Sequence, residues 1–176
     1  MEDFVRDHAM YAVIFGFFGF SWFGWAQAEP PATWRLPLGI ASGACLAIAL
    51  TGLFFAIREW SGATALSAPG AHRTFGIIFG IEFMSALLGS LVLMKIHKTA
   101  YIAPWIAAVV GIHFSPLAAV FKDAGLYLLS VLVTLAPITS IFIARMTSIT
   151  AGTVTCITTG SLLFVFAIRG LVLVVR

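Results

Sequence analysis

Charged side chains are scarce in this chain. Ten Lys and Arg and seven Asp and Glu amount to 10% of 176 residues, where soluble domains carry about 25%. So few charges cannot keep a water-soluble globule of this size hydrated. A hydrophobic share of 61% and a mean hydropathy of +1.05 point to a polytopic membrane protein instead. Cysteine is nearly absent too. Cys45 and Cys156 both lie in apolar runs and form no C-x-x-C or His/Cys cluster, so neither a disulfide frame nor a zinc site is indicated. No basic run is longer than Lys95-Ile96-His97-Lys98, so the net charge of +3 is read as loop charge facing lipid headgroups, with no nucleic-acid partner. Also missing are a G-x-x-x-x-G-K-[ST] loop, a G-x-G-x-x-G turn, an H-E-x-x-H pair and a G-x-S-x-G elbow. Enzyme chemistry is therefore the least favoured class, and no cofactor or metal is expected.

What the sequence does have is apolar length. Six runs, at about residues 9–25, 36–57, 74–94, 100–120, 125–144 and 148–174, are each long enough to cross a bilayer as a helix, which predicts an all-α bundle of six transmembrane helices in one domain. Glu29-Pro30-Pro31 stops the first run. Ala26-Gln27-Ala28 mimics a signal-peptidase site, but the flank before the run is acidic (Glu2, Asp3, Asp7) and the run is too long for a signal peptide, so retention of the first span is expected. The linker at 61–73, small and polar around Pro69-Gly70, reads as a flexible loop. The tight turn at 95–99 makes the third and fourth spans a helical hairpin.

Aromatic residues support the count, because Trp and Tyr favour both headgroup levels. Tyr11, Trp60 and Tyr127 fall near one set of span ends, and Trp25, Trp34, Tyr101 and Trp105 near the other. Arg6, Arg58, Arg73, Lys122, Arg169 and Arg176 lie toward the N-terminal side, against Arg35, Lys95, Lys98 and Arg145 opposite, which predicts cytoplasmic termini.

Small residues recur at four-residue spacing: Gly39, Gly43 and Ala47; Gly76 and Gly80; Ser148, Gly152, Cys156 and Gly160; and Ala12, Gly16 and Gly24 on one face of the first span. In lipid such stripes let backbones approach, and contacts within the chain are favoured over homo-oligomerisation. The sixth span is rich in hydroxyls, from Thr147 to Ser161, read chiefly as Thr and Ser side chains bonding their own helix and secondarily as a polar pathway. Pro137, with Thr134, Thr139 and Ser140 nearby, marks a hinge or a packed kink.

Three ionisable side chains lie within the runs: Glu82, His113 and Arg169. Each is costly in hydrocarbon. Arg169 is close enough to the span end to snorkel to the interface. Glu82 and His113 fall at nearly the same depth on opposite arms of the predicted hairpin. Pro116 removes an N–H and leaves the Ile112 carbonyl without its helical partner, with Ser115 near enough to help. Glu82, His113, Ser115 and Thr134 are thus the candidate buried polar site, with Pro116 and Pro137 as the kinks. As packing glue, Glu82 and His113 would fix helix register. As a site, they would serve a proton, a cation or a small polar ligand.

The run Gly111-Ile112-His113-Phe114-Ser115-Pro116-Leu117-Ala118, with Phe121-Lys122 and Tyr127 after it, resembles a segment of small, uncharacterised bacterial six-helix membrane proteins. The resemblance spans under twenty residues. It implies a multi-pass protein of a bacterial inner membrane and no particular activity. Two leading expectations remain. A small permease or proton/cation-coupled carrier predicts a cavity reaching Glu82 and His113. A structural or accessory subunit predicts a dry bundle with an apolar face for a membrane partner.

Overall fold

The computed structural model describes residues 4–176, so Glu2 and Asp3 of the acidic flank lie outside it. Among the described residues there are six α-helices and no strand: α1 Val5–Ala26, α2 Arg35–Arg58, α3 Ala71–Lys95, α4 Ile102–Phe121, α5 Ala124–Met146 and α6 Ala151–Val175. All six are long and apolar enough to cross a membrane. The chain is an all-α, multi-pass membrane protein, as composition predicts. Single 3-10 turns at Ala32–Trp34 and Thr99–Tyr101 precede α2 and α4. The last helix begins later than expected. Residues 148–150 lie outside it, and the Thr150 side chain caps it by accepting from the Thr153 amide at 3.2 Å. Helices α4 and α5 continue through Pro116 and Pro137.

The body of the bundle forms around α1, which is gripped between α2 and α6, while α5 joins α4 to α6. Backbone contact explains the grip. A Cβ added at Gly16 would lie 2.8 Å from the Cys45 carbonyl oxygen, one at Gly52 2.9 Å from the Val13 nitrogen, and one at Gly170 2.8 Å from the His8 carbonyl oxygen. Hydrogen in place of a side chain is what lets these helices touch. The aromatic core threads between them. Phe15 meets Phe114 and Phe166 edge-on at 5.7 and 6.4 Å, and Tyr11 stacks on Phe15 at 5.5 Å.

The packing stripes are partly corrected. Cys156 and Gly160 lie in helix contacts, as do Ala12 and Gly16, but Gly24, Gly43, Gly76 and Gly80 face outward with nothing within 4 Å of an added Cβ. On α2 the buried set is Leu38, Ser42, Cys45, Ala49, Gly52 and Ala56, alternating steps of four and three residues. That repeat drifts less around a helix than strict four-residue spacing, and it keeps one seam facing α1. Four-residue spacing reports that a flat face exists, and leaves open which side of the helix bears the neighbour.

Two further expectations also change, one for a loop and one for a span. The linker after α2 is anchored: Thr64 and Ala65 are buried, Thr64 Oγ1 donates to Asp7 Oδ1 at 2.6 Å, and the Ala65 amide donates to Asp7 Oδ2 at 2.8 Å. The Arg6 guanidinium lies 4.3 Å over the Trp60 ring, a second tie to the same linker. Arg169 is not a snorkelling anchor. Its guanidinium grips the Asp123 carboxylate with two hydrogen bonds of 2.8 and 2.9 Å. Asp123 also caps α5 by accepting from the Gly125 amide at 2.8 Å.

Candidate functional site

Among the described residues, helix α3 differs from the other α-helices in having no buried residue and in packing chiefly on one of them, α4. Three contacts hold the α3–α4 seam. Near one end Phe75 packs edge-on against Phe121 at 6.1 Å. Near the other, Gly89 leaves room for the Trp105 indole, whose N–H donates to the Ser85 carbonyl at 3.1 Å. Between them stand Glu82 and His113. Glu82 sits near the middle of α3, about 17 and 20 Å from its two ends, and His113 about 17 and 12 Å from the ends of α4 at 1.5 Å per residue, so both lie inside the depth of a bilayer core.

The Glu82 Oε2 and His113 Nε2 atoms are 3.5 Å apart, with both side chains largely shielded. His113 Nδ1 lies on the Val110 carbonyl, one turn back on its own helix. A carbonyl can only accept, so Nδ1 carries a proton and Nε2 is the atom turned to the carboxyl group. The pair can take up one further proton. It is then either a carboxylic acid beside a neutral imidazole or a carboxylate beside an imidazolium, and the two states differ by moving that proton across the gap. The His113 ring also lies against Phe114 at 4.3 Å, which fixes its plane.

Ser115 and Thr134 lie elsewhere. Ser115 is exposed and makes no hydrogen bond among the described residues, so it does not relieve the Ile112 carbonyl. Both residues line a shallow groove of about 290 Å3 between α4 and α5, with Ile112 and Ser130. Thr134 is pressed against Gly111, where an added Cβ would lie 2.5 Å from the Thr134 nitrogen. The four candidates therefore divide into a Glu82–His113 pair on the α3 side of α4 and a Ser115–Thr134 groove on its α5 side. A second concavity, of about 400 Å3, lies at the α5–α6 turn. Neither concavity is lined by Glu82 or His113.

No family model, curated protein or solved structure matches the chain. The residues alone must carry its reading.

Sequence reasoning missed two polar centres at the N-terminal end of the bundle, Asp7 with Thr64 and Asp123 with Arg169. The Asp123 signal was present, since an aspartate directly before an apolar helical run is an N-cap signature. Asp7 gave none, because its partners lie 57 and 58 residues away. The hydroxyls of α6 follow local reasoning only in part: Thr158 and Ser161 bond carbonyls one turn back, at 2.9 and 2.8 Å, whereas the Thr155 and Thr159 hydroxyls are buried with no hydrogen-bond partner among the described residues.

Proposed function

We propose that this protein is a small permease or proton/cation-coupled carrier of a bacterial inner membrane, with both termini cytoplasmic, in which the Glu82–His113 pair takes up and releases the coupling proton. The 3.5 Å approach of a carboxyl group and an imidazole at mid-membrane carries this reading. Ionisable groups there are costly and mark ion or proton steps more often than they serve packing. The seam adds a second support. Among the α-helices, α3 packs chiefly on α4, so a change in the charge of the pair acts on a contact less constrained by other helices.

Infrared titration of the reconstituted protein tests the proposal. The Glu82 carboxyl band should exchange with bulk protons and shift in His113→Ala. In liposomes loaded with a pH-sensitive dye, Glu82→Gln and His113→Ala should each abolish the proton movement seen with the parent chain, and the double variant should be no worse than either. A carboxyl band unmoved over the accessible pH range would mean a sealed structural pair and would sink the carrier reading.

A structural or accessory subunit is the second reading. It is favoured by the exposed apolar face of α3, with Phe79, Phe83, Leu87 and Leu91 outward, and by concavities that pass the pair by. An intramembrane enzyme is less favoured. Among the described residues, the polar groups on the His113 ring nitrogens are Glu82 and a backbone carbonyl.

A further inference from the structure

The 400 Å3 cleft lies at the end of the bundle opposite the N-terminus, where the α5–α6 turn meets the start of α4. Arg145, in the last turn of α5, lines it with Tyr101, Thr147, Ser148 and Thr150, and Ile141 belongs to its apolar wall. Two of the hydroxyls are already engaged. Thr147 donates to the Ile143 carbonyl at 2.9 Å, and Thr150 is paired with Thr153 at 2.9 Å. Arg145, Ser148 and the Tyr101 hydroxyl are different: among the described residues, none has an ion-pair or hydrogen-bond partner.

The chemistry of the lining selects its ligand. A guanidinium offers five N–H donors in a planar fork and accepts nothing, and no carboxylate lines the cleft to neutralise it. Two hydroxyls beside it can donate as well. An anion with several oxygens in tetrahedral array matches such a set, the fork taking two of them side by side. Depth selects the source. Trp25, Trp34 and Tyr101 are partly exposed at this end of the bundle, where an aromatic belt meets lipid headgroups.

We propose that this cleft binds a phosphate anion, supplied by the headgroup of an anionic phospholipid, with Arg145 as the chelating residue and Ser148 and Tyr101 as flanking donors. The cavity and the guanidinium carry the inference. The α6 terminus adds little, since Thr150 already occupies the Thr153 amide.

The test uses the full chain purified in non-ionic detergent. Dilauroyl phosphatidylglycerol is titrated and followed by native mass spectrometry, and inorganic phosphate is titrated separately by calorimetry. One lipid per chain should bind saturably. Arg145→Gln should weaken it about tenfold, the loss expected for a charge-assisted contact. Ser148→Ala should weaken it less. Arg35→Gln, on the same side but outside the cleft, should bind like the parent. Arg145 has no protein partner to lose, so its substitution should leave the fold intact, which an unchanged melting temperature without lipid will verify. Saturable binding of inorganic phosphate that depends on Arg145, without a lipid preference, would keep the anion site and overturn the lipid assignment. Binding indifferent to Arg145, or absent for both probes, would overturn the site.

Discussion

Helices α1 and α3 are similar in length and both apolar enough to cross a membrane, yet they are held in opposite ways. α1 is locked by backbone against backbone, with Gly16, Gly52 and Gly170 leaving no room for even a methyl group. α3 rests chiefly on α4, through an aromatic contact, an indole hydrogen bond and an ionisable pair. In lipid no hydrophobic force separates these cases, because a tail is as apolar as a leucine. The difference comes from interlocking shape on one side and from a few polar contacts on the other. A helix of the first kind is a fixed frame, and one of the second kind is held by contacts that single substitutions can remove.

The sharpest way to break the contrast is to fill the frame. Gly52→Leu places a side chain where the Ala12 Cβ and the Val13 nitrogen already stand. It should cost more than about 3 kcal/mol, the upper range for overpacking, and be read as loss of the folded fraction in detergent. Next comes the polar tie inside the frame. Asp123→Asn leaves the Arg169 guanidinium without its carboxylate. Because Arg169 is about one-third exposed, a loss of about 2 kcal/mol is expected, below the 3–5 kcal/mol of a fully buried pair. A melting curve within error of the parent would show that the ion pair does not hold α5 to α6. Smallest of all is Gly80→Leu on the outer face of α3. It meets open space and should change stability by less than about 0.5 kcal/mol. A large loss there would reveal a neighbour that α3 lacks within the chain.

The sequence disclosed the helices and the matched depth of Glu82 and His113, because both follow from distance along one chain. Span length and rise per residue need no partner. It did not disclose angular phase. Gly43 and Gly80 repeat at the correct spacing and still point outward, since which side of a helix bears a neighbour depends on helices far away in sequence. Ser115 was misplaced for the same reason. It lies two residues from His113, about 200° around the helix, and so turns toward α5 while His113 turns toward α3. Long-range polar ties, such as Asp7 to Thr64, leave no local trace at all.

The Asp7 contact has a consequence for biosynthesis. A carboxylate near the head of α1 finds its hydroxyl and amide partners only in the linker after α2. Until the second helix has crossed, those partners cannot stand beside Asp7, and its carboxylate is better placed in the headgroup water. It becomes burial-competent once the second helix has crossed and residues 64 and 65 return to the same side. The first two helices are thus completed as a hairpin, with Asp7 as the latch that closes behind them.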